Sequence, residues 1–303
     1  MEGRHDTVQL LGFRVCTGAG SAYAQCNSNP PYPTTCYLAD PTYDPERRGN
    51  YVPPTCSALG TGYDSQIKAA FDCAHPRVQQ DLRKLSAIFV LPQNYPVGAG
   101  KSFGMWENPT NQHVAGRSYI FLSQNAFGKS LSQAESETQN AVLAATGNSL
   151  RVQYQVVPDA GALGLLSVMA HEAAHAKWYR DGVARASCYV NRIRPFWTGV
   201  PNRKWVEFAD DAGSDHAPAS GTRHPKRGLN EGQLHSLYPR FASVFAAISP
   251  EEDFVETYKL IALAPTRLTT FQTTTPTGAS SNIKSLMTTG RLKTKVDCVL
   301  GLL

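Results

Sequence analysis

No run of 18 apolar residues occurs in this 303-residue chain, so no membrane-crossing helix is expected. There is no C-x-x-C pair, which argues against a zinc ribbon or a thioredoxin-like site. No glycosylation acceptor is open, because Asn108-Pro109-Thr110 is blocked by its proline. Charge is sparse: 17% of residues are Asp, Glu, Lys or Arg against 42% hydrophobic, the balance of a folded chain rather than a disordered one. The net charge of +5 is mild. Its one basic cluster, Arg223-His224-Pro225-Lys226-Arg227, lies in a polar stretch bearing Gly and Pro and reads as a solvated loop, so no nucleic-acid partner is expected. Met1-Glu2-Gly3-Arg4-His5-Asp6 is not a signal peptide.

Cysteine, by contrast, is plentiful and uneven. Of seven, at 16, 26, 36, 56, 73, 188 and 298, five fall in the first 73 residues, among Pro, Gly, Asn and Tyr. That pattern predicts at least two disulfides in the N-terminal segment and an oxidising compartment, secreted or periplasmic. Buried thiols in a reduced cytosolic protein are the alternative.

The most informative stretch is His171-Glu172-Ala173-Ala174-His175, an H-E-x-x-H motif. Four residues make about one helical turn, so both imidazoles leave one face. At that spacing they can share one tetrahedral zinc, and Glu172 can act as general base on a zinc-activated water. Pro158-Asp159 can open the helix, Leu163, Leu166, Met169, Ala170, Ala173 and Ala174 give it an apolar body, and Asp181-Gly182 offers a stop. The motif predicts a zinc hydrolase, a peptidase above all.

A catalytic zinc needs a third protein ligand. The G-x-x-H continuation of metzincins and the reversed H-x-x-E-H form are both absent. The best remaining source is Ser249-Pro250-Glu251-Glu252-Asp253-Phe254-Val255-Glu256-Thr257-Tyr258, where Ser249 suits an N-cap, Pro250 a first helical position, and Glu252 and Glu256 share a face. Over these two segments, about 25 of 303 residues, the chain resembles the gluzincin class of zinc peptidases, and E-D-F-V-E-T-Y looks most like the glutamate helix of the anthrax-lethal-factor-like branch. The resemblance implies Glu252 as the ligand and Glu256 as the carboxylate that orients a zinc-bound imidazole. The residues alone leave an alternative: Ser249-x-x-Glu252 is also a capping box, which would free Glu256 to ligate. Gluzincins often add a Tyr or His as oxyanion donor. His235, Tyr238 and Tyr258 are available, and Tyr238 is the choice.

The expected fold is α+β and zincin-like. Residues 1–75 form an irregular, Cys/Pro/Gly-rich segment and residues 76–303 the peptidase domain. Its upper lobe, about 76–182, carries a mixed sheet and the H-E-x-x-H helix; its lower lobe, about 183–303, is mostly helical. Residues 64–84 read as two helices broken near His75-Pro76, residues 133–145 as another, and residues 86–91, 117–122 and 150–157 as strands. Residues 117–122 would be either the edge strand that pairs with substrate backbone or an interior strand. Two further helices are expected at 231–248 and 250–263. Asp210, Asp211 and Asp215 lack calcium-loop order and read as a polar loop. The expected substrate is a protein or peptide. A peptidoglycan cross-link is the alternative, and an inactive zinc-binding protein is the reading that Glu172 argues against.

Overall fold

The apolar runs at 86–91 and 117–122 become the middle of a sheet. The computed structural model describes residues 32–44, 53–93, 95, 103–106, 117–145, 147–193, 229–247, 249–264 and 268–303. Within them β1 (Thr35–Leu38), β2 (Cys56–Ser57), β3 (Ala87–Val90), β4 (Gly104–Trp106) and β5 (Tyr119–Leu122) form a five-stranded mixed sheet in the order β2-β1-β3-β5-β4. β1, β3 and β5 are parallel, while β2 and β4 lie antiparallel at the edges. Every residue of β3 and β5 is buried, as expected for parallel strands covered on both faces. Ile88, Val90, Ile120 and Leu122 face the main helical core. Ala87, Phe89, Tyr119 and Phe121 form a second, smaller core with Cys36, Leu38 and Met105.

The helices are α1 (Thr61–Cys73), α2 (Pro76–Arg83), α3 (Leu131–Ala145), α4 (Gly161–Arg180), α5 (Glu231–Leu237), α6 (Pro250–Leu263), the one-turn α7 (Ile283–Leu286) and α8 (Gly290–Leu302). α4 carries the H-E-x-x-H motif and is buried on nearly all sides, flanked by α1, α3 and α6. Its first turn lies so close to the loop before α3 that a Cβ on Gly164 would stand 2.3 Å from the Lys129 carbonyl oxygen, so only glycine fits. It stops at Gly182, whose φ of 61° is the left-handed turn that glycine adopts without penalty. α6 begins where Ser249 and Pro250 predict: the Ser249 hydroxyl accepts from the Glu252 N–H at 3.1 Å. A second sheet is antiparallel, β6 (Gln153–Val157), β7 (Thr270–Thr274) and β8 (Ser280–Asn282) in that order.

The α+β class holds, three finer expectations change, and one point left open is decided. First, the N-terminal segment is not wholly irregular: β1 pairs with β3 and α1 packs on α4, so residue 75 does not separate two bodies among the described residues. Second, β5 is interior, and the edge on its side is β4, a three-residue strand the sequence does not announce. Third, β6 leaves the upper sheet and pairs with β7, across the expected lobe boundary. Fourth, helix at 231–248 ends at Leu237, and a short 3₁₀ turn at Phe245–Ala247 follows.

Two disulfides join described residues. Cys36–Cys56 ties β1 to β2, and Cys188–Cys298 ties the segment after α4 to α8. Cys73 is disulfide-bonded as well, while Cys16 and Cys26 lie outside the described residues. A bridge spanning 110 residues, as Cys188–Cys298 does, stabilises by roughly 4–5 kcal/mol if restriction of the unfolded chain is its main effect. No helix among the described residues is long and apolar enough to cross a membrane. The basic cluster at 223–227, the Asp cluster at 210–215, His216 and His224 lie outside the described residues.

Candidate metal centre

α4 and α6 pack side by side, which brings the two halves of the site together across about 80 residues of sequence. His171 and His175, one turn apart on α4, direct their Nε2 atoms to one point and stand 3.3 Å apart there. Glu252, in the first turn of α6, closes the triangle: one carboxylate oxygen is 3.5 Å from His175 Nε2 and the other 3.7 Å from His171 Nε2. Ligands bound about 2.0–2.1 Å from a tetrahedral ion stand about 3.3–3.4 Å from each other, close to the 3.3 Å between the two Nε2 atoms and the 3.5 Å from His175 Nε2 to Glu252 Oε1. Glu252 Oε2 is buried and has no hydrogen-bond partner among the described residues, a costly state for a carboxylate oxygen unless a cation answers it. The His-His-Glu group could therefore hold a metal ion.

Each imidazole is fixed from behind. Nδ1 of His171 lies 2.8 Å from Glu256 Oε1, and Nδ1 of His175 lies 2.6 Å from Glu251 Oε1. Both rings then donate from Nδ1 and leave the Nε2 lone pairs for a metal. This geometry separates the two carboxylates that the sequence left interchangeable: Glu252 faces the Nε2 side, Glu256 the Nδ1 side. Glu251 was not foreseen. At the second position of a helix it reads as a charge that complements the helix dipole. Its other oxygen accepts from the Tyr179 hydroxyl at 2.8 Å, and Tyr179 stacks on Trp106 of β4 at 4.8 Å. Phe245 stacks on the face of His171 at 5.2 Å.

Glu172 is buried between α4 and β4. A Cβ on Gly104 would lie 2.9 Å from Glu172 Cγ and 3.0 Å from its Oε1, so the edge strand runs directly over the carboxylate. Burial pushes the Glu172 carboxyl upward, against the pull of His171 and His175. Glu252 is raised by burial in the same way. Burial alone would lower His175, but the Glu252 charge and the hydrogen bond and charge of Glu251 outweigh it and lift its pKa to about 10. His171 is also raised, burial being outweighed by the Glu256 hydrogen bond and the charge of Glu252.

In the metal-free protein His175 carries its proton at neutral pH, and a metal must expel that proton to bind Nε2. Zinc uptake at pH 7 should therefore release about one proton or more, and zinc affinity should rise with pH up to about 10. Calorimetric titration in two buffers of different ionisation heat measures this. Zinc binding with no proton release would contradict it.

The proposed oxyanion donor does not survive. Tyr238 is 1% exposed, and the groups acting on its hydroxyl are Thr273, Tyr154 and Glu135, not the metal cluster. A phenol so enclosed by the second sheet and α3 has no path to a substrate carbonyl. Nor do its rivals serve: Tyr258 is fully buried and donates to Asp81 at 3.2 Å, and His235 pairs with Ser281 at 2.9 Å.

Compared with known proteins, the chain matches no family model, no curated protein and no solved structure.

Proposed function

We propose that the chain is a secreted, zincin-like zinc endopeptidase that hydrolyses peptide bonds in protein or peptide substrates. The observation that carries this reading is the convergence of His171 Nε2 and His175 Nε2, 3.3 Å apart, on the Glu252 carboxylate, whose Oε1 lies 3.5 Å from His175 Nε2 and whose Oε2 lies 3.7 Å from His171 Nε2 and has no hydrogen-bond partner among the described residues. The disulfides and the gluzincin resemblance of the two helices support it.

His171, His175 and Glu252 would hold the ion. Zinc in such a site supplies Lewis acidity that brings the ionisation of water close to pH 7. Glu172 takes a proton from the attacking water onto its carboxylate, then delivers it to the leaving amine nitrogen, so the C–N bond breaks without expelling an amide anion. A carboxyl raised by burial suits both halves of that exchange. Glu256 and Glu251 keep the imidazoles oriented while charge builds on the substrate carbonyl. β4 would receive an extended substrate, since among the described residues it lies at the sheet edge, and it passes over Glu172.

The purified chain should contain close to one zinc per molecule. It should cleave an unstructured protein such as casein, and a chelator should abolish cleavage until zinc is restored. Cleavage undiminished in a chelated, zinc-free sample would overturn the reading.

A further inference from the structure

Behind Glu256 lies a run of buried charge that the proposed chemistry does not use. Lys259, one turn further along α6, has a side chain only 4% exposed. Its ammonium reaches Glu256 Oε2 at 2.8 Å and Glu135 Oε2, from α3, at 2.9 Å. The second Glu135 oxygen accepts from the Ser167 hydroxyl of α4. Ser243 donates to Glu256 Oε2 at 2.5 Å. The chain of contacts therefore runs from α3 through Lys259 to Glu256, and from there to Nδ1 of His171.

Two negative carboxylates converge on one positive ammonium, leaving a net charge of minus one behind the metal-facing imidazole. An isolated charge at such depth is expensive, and a buried pair broken on one side leaves the other uncompensated. Without Lys259, Glu135 and Glu256 would face each other across the vacated space with nothing between them. Repulsion would turn the Glu256 carboxylate away from Glu135, and its Oε1, on the same rigid group, would leave His171. Serine hydroxyls cannot replace the lost charge.

We propose that Lys259 is a positioning residue for the metal centre: by binding Glu135 and Glu256 together, it aims Glu256 at His171 and so fixes the imidazole for the ion. This rests on the metal-site reading above and extends it to a residue that touches neither ion nor substrate. A lysine that merely braced the core would change stability and leave the metal's surroundings alone. A positioning lysine changes the metal's surroundings, and its removal should be repaired by removing the charge it offsets.

The test uses the full chain with zinc and, as a spectroscopic probe, cobalt(II). In Lys259→Met, zinc affinity measured against a chromophoric chelator should fall about 10–100-fold, the range seen when a group supporting a metal ligand is lost. The visible bands of the cobalt form should shift. Glu135→Gln/Lys259→Met restores the net charge of minus one, and it should recover most of the affinity and the wild-type cobalt spectrum. If Lys259→Met does not fold, the double variant carries the test alone. A folded Lys259→Met with unchanged affinity and spectrum, or a folded double variant still 10–100-fold weak, would overturn the proposal. A wild-type chain that binds neither ion would instead overturn the metal-site reading beneath it.

Discussion

Glu172→Gln should keep its zinc and lose at least ~10²-fold in peptide cleavage, the lower range for general acid–base catalysis. Glutamine preserves the shape that β4 demands. The side chain lies so close under Gly104 that a Cβ there would stand only 2.9 Å from Glu172 Cγ, so a bulkier or shorter substitute would shift the strand and blur the result. What glutamine removes is the proton acceptor. Glu172 belongs to none of the three ligand contacts, which run among His171, His175 and Glu252, so zinc content should be unaffected. The loss should fall on kcat more than on KM, because the proton is in transit only in the transition state. Zinc content and cleavage must be measured on one sample. Zinc-loaded Glu172→Gln with full activity would mean that α4 holds a metal for some other purpose.

How far the sequence foretold this site varies with the kind of information each residue needs. α4 and α6 were legible because their signals are local: an apolar body with a glycine stop at Gly182, and Ser249-Pro250 opening a helix that starts at Pro250. His171, Glu172 and His175 were legible because a four-residue spacing fixes a face. Glu251 was not, since its role depends on how α6 is rolled against α4, and nothing local sets that angle. β4 is three residues long and begins with glycine, too short to show alternation. β6 alternates clearly, but its partner β7 lies more than 100 residues away, so its sheet could not be assigned. Lys259 resembles any solvated helix lysine until Glu135 and Glu256 are seen on either side of it. Tyr238 failed for the converse reason: proximity in sequence to the glutamate helix says nothing about depth, and it is buried in the main core beside Thr273, Tyr154 and Glu135 rather than against the metal cluster.

Glu252→Ala should cost more zinc affinity than Glu256→Gln, and the two should separate again in the metal-free protein. Glu256→Gln leaves all three ligand atoms in place and should lose about 10–100-fold. Glu252→Ala removes a ligand outright, so its loss should exceed that range, with cleavage lost alongside it. Stability without metal should rank the other way for the corresponding alanines. Among the described residues, Glu252 Oε2 is buried without a hydrogen bond, and its carboxylate answers only the two imidazoles, at 3.5 and 3.7 Å. Glu256 accepts from His171, Ser243 and Lys259 at 2.8, 2.5 and 2.8 Å. Its truncation takes the acceptor from His171 Nδ1 and the Ser243 hydroxyl and leaves the Lys259 ammonium with Glu135 alone, and a buried donor left unsatisfied costs roughly 1–3 kcal/mol. Thermal melts of the chelated proteins should therefore show Glu256→Ala falling well below Glu252→Ala. A residue kept for metal weakens the empty fold, whereas a residue kept for the fold strengthens it, and the two glutamates stand on opposite sides of that division. If Glu252→Ala bound zinc as tightly as wild type while Glu256→Gln did not, the ligand would be Glu256, and the orientation of both imidazoles described above would have to be reversed.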